Sequence, residues 1–133
     1  MLSVNNFTQL ASGTLTADLN AIFRNNIFWS DEGIVTNELE VIKQGANLFT
    51  VLFEKNMYRS AADPANSTLT GNIRNADPAF DSIDVNKNIF DFRITKNAAS
   101  PAINAGIVTG FAKDLDDKNR NVGLPDLGCY EKQ

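Results

Sequence analysis

Short apolar runs separated by polar turns dominate the chain, and sustained helical periodicity is scarce. Strict alternation marks a half-buried strand, and it is clearest in Phe90-Asp91-Phe92-Arg93-Ile94. Leu39-Glu40-Val41 has the same period, with Glu38 and Glu40 on one face and Leu39 and Val41 on the other. Leu48-Phe49-Thr50-Val51-Leu52-Phe53 is nearly continuous, which suits a strand covered on both faces or a short buried helix. These runs predict strands over Ala21–Trp29, Leu39–Lys43, Leu48–Phe53, Phe80–Val85, Ile89–Ile94, Ile107–Phe111 and Asp126–Glu131. The chain therefore reads as all-β, with an antiparallel sandwich as one arrangement open to it.

Turn residues punctuate the runs. Ser100-Pro101-Ala102-Ile103-Asn104-Ala105-Gly106 predicts a short helix. Ser100 is its N-cap, Pro101 occupies the first helical position, and Gly106 takes the left-handed residue after it. Asp63-Pro64-Ala65 and Asp77-Pro78-Ala79 begin in the same way. Each proline bars the residue before it from helix, so both pairs mark element boundaries.

Two segments match at a spacing of 30 residues. Phe23-Arg24-Asn25-Asn26-Ile27-Phe28-Trp29-Ser30 aligns without gaps on Phe53-Glu54-Lys55-Asn56-Met57-Tyr58-Arg59-Ser60. A weaker echo, Asn5-Asn6-Phe7, precedes Asn25-Asn26-Ile27. Repetition of this kind suits stacked coils whose loops differ in length. Asn26 and Asn56 would then stand at equivalent turns, where their amides can bond to each other or to the neighbouring coil.

Composition narrows the chemistry. The chain has no His, so Ser-His-Asp and Cys-His catalysis and His-ligated zinc are excluded. One Cys, Cys129, permits neither an internal disulfide nor a cysteine metal cluster, and it reads as a buried, inert thiol. The net charge of −4 argues against nucleic acid as a partner. No apolar run reaches the length of a membrane span, and the first residues do not form a signal peptide. Asn is the commonest residue, at 17 against 14 Ala, which implies frequent turns.

The last third carries a resemblance. Asp77-Pro78-Ala79-Phe80, Phe90-Asp91-Phe92-Arg93-Ile94, Ser100-Pro101-Ala102-Ile103-Asn104-Ala105-Gly106, Asp114-Leu115-Asp116-Asp117-Lys118-Asn119-Arg120 and Asp126-Leu127-Gly128-Cys129-Tyr130-Glu131 follow in that order. The succession resembles the C-terminal region of secreted bacterial right-handed parallel β-helix proteins of the pectate-lyase-like type. Asp117 stands where that pattern has Gly, and Cys129 where it has Ala. The resemblance implies terminal coils of a right-handed parallel β-helix with short helical turns and a C-terminal capping strand. Residues 1–76 would form Asn-rich coils and 77–133 the closing segment of the same domain. It further implies an extracellular or cell-envelope protein that binds or processes surface polysaccharide, or mediates adhesion.

Candidate sites follow from both readings. Asp114, Asp116 and Asp117 suggest a calcium loop, but Lys118 and Asn119 break the EF-hand pattern, so no metal is expected. An acidic turn in which Arg120 pairs with Asp116 or Asp126 is the structural expectation. Asp81, Asp84 and Asp91 are numerous enough for glycoside hydrolysis, which keeps a lyase or hydrolase fragment as an alternative, although Asp81 and Asp84 read better as loop or strand-edge residues. Trp29 and Tyr58 are the candidate sugar-stacking residues of a carbohydrate-binding module. No catalytic residue and no cofactor are expected. The remaining expected partners are upstream coils, or a second copy; the uncapped N-terminal coil around Val4–Leu19 is expected either to be disordered or to self-associate.

Overall fold

The computed structural model describes residues 1–30, 35–96 and 99–133. Among the described residues, all regular elements longer than one turn are strands. The first rung comprises β1 (Leu2–Asn5), a hairpin of β2 (Phe7–Leu10) and β3 (Gly13–Thr16), β4 (Leu19–Arg24) and β5 (Ile27–Phe28). The second contains β6 (Leu39–Ile42), β7 (Phe49–Glu54) and β8 (Met57–Tyr58), and the third β9 (Thr68–Thr70) and β10 (Ile73–Arg74).

The rungs stack through three parallel sheets, ordered β1–β6, β4–β7–β9 and β5–β8–β10. Phe23 pairs with Phe53, and Ile27 pairs with Met57. The 30-residue spacing of the sequence match is therefore the register of the ladder. A parallel pair needs a long connection between its strands, and the intervening strands of each rung supply it.

The predicted strand Ala21–Trp29 is divided because Asn25 adopts a left-handed φ of 58°. Lys55 and Gly71 turn the same corner in the other rungs, at 54° and 58°. Asn and Gly tolerate that conformation best, so the corner recurs where the sequence is only partly repeated. Strands β1, β2, β3, β8, β9 and β10 are additional to the predicted set. The segment Val4–Leu19, expected to be disordered, is an ordered strand and hairpin with Val4 buried.

Alternation sorts the side chains into two cores. Leu2, Val4, Leu39, Val41, Val51, Phe53 and Tyr58 face inward, joined by Leu19, Phe23, Phe28 and Leu69. Phe23 stacks on Phe53 with ring centroids 4.8 Å apart, and Phe28 meets both edge-on. Ile27, Met57 and Ile73 point the other way from β5, β8 and β10, onto Phe80, Ile94, Ala102, Ile103 and Leu127.

The closing segment thus lies along the side of the rungs. Among its described residues it contains one antiparallel hairpin, β11 (Ser82–Asp84) with β12 (Ile89–Asp91), joined by a 3-10 turn at Val85–Lys87. The predicted capping strand Asp126–Glu131 does not form. Leu127 N–H donates to Ala102, Gly128 N–H to Asn25, and the Cys129 carbonyl accepts from Leu115. Three different partners for three successive residues, with Gly128 at φ 89°, preclude a ladder. Ile107–Phe111 is likewise irregular, interrupted by Gly110 at φ 87°.

Candidate functional site

A ladder of asparagine amides runs through the corners. Asn26 donates from its backbone N–H (3.0 Å) and Nδ2 (2.8 Å) to Asn56 Oδ1. Asn56 donates likewise to Asn72 Oδ1, at 2.8 and 3.2 Å. Each Nδ2 also reaches a carbonyl of the strand before the corner: Arg24 for Asn26, Phe23 for Asn56 and Phe53 for Asn72. Asn56 is fully buried, and such an amide is tolerated because these bonds replace its lost hydration. Asn72 lay outside the aligned segments, so the sequence match did not mark it.

Two adjoining clefts border the open edges of β4 and β5. One, of about 640 Å³, is lined by Ile22, Arg24, Phe111, Lys113, Asp114 and Leu115 among others. The second, of about 420 Å³, is lined by Ile27, Phe28, Trp29, Phe80 and Phe92. Asn25, Asn26, Gly128 and Cys129 border both, making one trough. Cys129, expected to be buried, is exposed at its wall. Desolvation by its neighbours nevertheless raises its pKa, which keeps it a thiol.

The charged groups of the trough are occupied structurally. Arg24 bonds Glu54 at 2.7 Å, and Lys113 donates to the Asp117 carbonyl at 3.0 Å. Asp114 accepts from the backbone N–H groups of Asp116, Lys118 and Glu131 at 2.8–2.9 Å. Desolvation raises its pKa, but those three donors outweigh it and hold the carboxyl below the ordinary range. Arg120 pairs with neither expected carboxylate. Its guanidinium is buried against the carbonyls of Asp126 and Gly128, at 2.9 and 3.0 Å, because the irregular tail leaves those acceptors unpaired.

Asp116 instead forms a two-pronged pair with Arg93, at 2.7 and 2.8 Å. The guanidinium also holds Asp91 at 2.9 Å and lies over the Tyr130 ring at 4.5 Å. The bonds from Arg93 depress the Asp116 pKa. Asp126 caps two backbone N–H groups, Asn104 and Lys132, both at 2.7 Å. Its own N–H donates to Glu131, a buried carboxyl whose pKa desolvation raises.

No group of three or more metal-ligating side chains occurs among the described residues, and Asp114, Asp116 and Asp117 do not converge on one point. Asp81 is likewise engaged, by the Thr95 hydroxyl and the Lys96 N–H, and Asp84 caps the 3-10 turn through Lys87. Ser100 donates to the Pro78 carbonyl at 2.6 Å and accepts weakly from Ala102. The predicted helix after it is a single turn beginning at Pro101, and its left-handed residue is Asn104 rather than Gly106. Gly106 is needed for closeness, since a Cβ there would stand 2.7 Å from the Pro125 carbonyl oxygen.

The two aromatic candidates separate. Tyr58 is 2% exposed and donates to Asp63 at 2.9 Å, so it cannot stack on a sugar. Burial first, and then that bond, push its pKa up to about 12. Trp29 is half-buried at the cleft wall, with Arg59 5.9 Å above its ring. Glu38 also departs from its expected outward face. It precedes β6 at a corner, buried, with Oε2 3.2 Å from the Met1 ammonium. Comparison with family models, curated proteins and solved structures finds no match to this chain.

Proposed function

We propose that the chain is a stretch of terminal coils of a right-handed parallel β-helix, serving as a structural, non-catalytic part of an extracellular or cell-envelope protein. The parallel register that carries Asn26 onto Asn56 and Phe23 onto Phe53 supports this reading most strongly. A non-catalytic role agrees with Asp81, Asp84, Asp114, Asp116 and Asp126, whose carboxylates are engaged by backbone or Arg donors. The polysaccharide or adhesive setting rests on the resemblance of the last third to pectate-lyase-like proteins and is fold analogy. Asn56→Leu tests the coil reading. A marked loss of stability is expected, because Asn26 loses its acceptor and the Phe23 carbonyl its donor. Unchanged stability would contradict it.

The aromatic end of the trough favours a second reading, carbohydrate binding. Trp29, Phe80 and Phe92 border the smaller cleft beside the Asn25 and Asn26 amides. Apolar walls with a few fixed polar groups suit a small ligand. Trp29 is the single tryptophan, so its fluorescence reports on that cleft alone. A saturable change with a soluble glycan, lost in Phe92→Ala, is the expected result. A silent glycan panel would remove this reading.

A further inference from the structure

Hairpin β2–β3 stands apart from the parallel sheets, and we propose that the outer edge of β3 pairs with β3 of a second copy of this chain across a two-fold axis. The inference is independent of the coil reading above. The hairpin is a sheet of its own, so each of its strands keeps one unpaired edge. Thr16 Oγ1 ties it to the second rung, donating to Asn47 Oδ1 at 2.6 Å, while Gly13, Thr14 and Leu15 are exposed. Free edges recruit further strands unless Lys, Pro or a bulge blunts them. None of these occurs in Gly13–Thr16, and no charged side chain precedes Asp18. The segment is an ordered strand, so the surface is already formed in the single chain.

The hairpin ladder fixes the register of pairing. The Ala17 N–H donates to the Asn6 carbonyl at 2.9 Å, which makes Phe7–Thr16 and Gln9–Thr14 the non-hydrogen-bonded pairs. The backbone N–H and C=O groups of Thr14 and Thr16 therefore point away from β2, and among the described residues they have no partner. An antiparallel copy of β3 meets them when Thr14 lies opposite Thr16 of the second copy, and Thr16 opposite its Thr14. Each such pair exchanges both backbone bonds. The axis then passes beside Leu15, which is 59% exposed in the single chain and packs on its own equivalent in the dimer. Near a two-fold axis each residue meets its own kind, so a charge there would oppose a like charge. Thr14, Leu15 and Thr16 carry none, although the chain as a whole has a net charge of −4. Strand β2 is the poorer edge. Its outward Phe7 N–H already turns to Asn5 Oδ1 at 3.4 Å, and its centre would bring Thr8 rather than Leu15 onto the axis.

Charge placed on the axis tests this, with sedimentation velocity as readout and circular dichroism as a check on folding. The wild-type chain is expected to double in mass with rising concentration. Leu15→Lys and Leu15→Glu, each alone, are expected to stay monomeric, and their equimolar mixture to regain a one-to-one dimer. Thr8→Lys, on the far strand of the same hairpin, is expected to dimerise like the wild type. A wild-type chain that stays monomeric at millimolar concentration would overturn the proposal while leaving the coil reading intact. A dimer that survives Leu15→Lys, or a mixture of the two Leu15 variants that stays monomeric, would overturn it as well. So would loss of the dimer in Thr8→Lys but not in Leu15→Lys, since that places the contact on β2. If a Leu15 variant loses its strand spectrum, Thr14→Pro replaces it. That change removes one outward N–H without adding charge, and it is expected to abolish the dimer; a Thr14→Pro chain that still dimerises would contradict the proposed edge.

Discussion

The rungs and the segment along their side are both compact, yet different interactions hold them. Between rungs, backbone ladders carry the order, and the side chains repeat their roles from one rung to the next. Phe23 lies on Phe53, and Asn26 bonds Asn56. In the flanking segment nothing repeats. Its irregular backbone is satisfied residue by residue, by Asp81 on Lys96, Asp114 on three N–H groups, Asp126 on two, and Arg120 on two carbonyls. A ladder spreads its stabilisation over many equivalent bonds. A set of individual caps concentrates it in charged side chains, and this makes the flank sensitive to pH.

The largest effect is expected at Phe53. It is fully buried between Phe23 and Phe28, so Phe53→Ala should cost about 3–5 kcal/mol, measured by urea unfolding. Both regions should unfold together in that variant, because Met57, four residues on, anchors the flank. A separate, earlier transition of the flank would sharpen the contrast between them.

Next is the ladder. Asn56→Ala strips the acceptor from Asn26 and leaves the Phe23 carbonyl unmet in a buried place, while Asn72 Oδ1 keeps only the backbone N–H of residue 56, at about 2–4 kcal/mol. Asn72→Ala removes an end rung and should cost clearly less. Equal losses would break the view that the amides act as a stack.

A smaller, local effect is expected at Gly106. Gly106→Ala places a methyl against the Pro125 carbonyl and should cost about 1–3 kcal/mol. Hydrogen exchange should then speed up at Leu127 and Gly128 while the amides of Met57 and Arg59 stay protected.

The smallest effects are those of pH. Asp81, Asp84, Asp114 and Asp116 all titrate below their ordinary value of 3.8 in the folded chain. Their stabilisation is complete above pH 3.8 and is lost as the pH falls through their folded values. Glu131 acts in the opposite sense. Its folded pKa lies above 4.5, so its contribution is complete below that pH and is lost as the pH rises through the folded value. Acid should therefore loosen the flank before the rungs. Glu131→Gln should raise the Tm slightly at pH 7, and Asp116→Asn should flatten the acid loss. All five groups belong to the flank, so acid exchange confined to residues before 75 would contradict this assignment.

The legible features of the sequence were those that obey a period. The match of Phe23–Ser30 with Phe53–Ser60 gave the ladder register, because stacked strands place equivalent residues over one another. Alternation found β6 and β12, although β12 ends at Asp91 and leaves Phe90 and Phe92 about half exposed. Strands β8, β9 and β10 were missed because Met57–Tyr58, Thr68–Thr70 and Ile73–Arg74 are too short to show a period. The predicted tail strand failed because alternation cannot reveal that Gly128 breaks the extended run. Arg120 was assigned a carboxylate by charge, whereas its buried position offered carbonyl oxygens. Of the trough, Trp29 was legible as an aromatic, but its partners Phe80 and Phe92 come from a segment more than fifty residues away. Nothing local in the chain brings them together.

The central claim is that the rungs stack in parallel, with Asn26 over Asn56 over Asn72. Inter-strand backbone nuclear Overhauser effects on labelled protein test it most directly. The account requires contacts joining Phe23 to Phe53, Ile27 to Met57 and Met57 to Ile73, without the close Hα–Hα contacts of antiparallel pairs in those strands. Strong Hα–Hα contacts there, or a register other than these pairs, would contradict it.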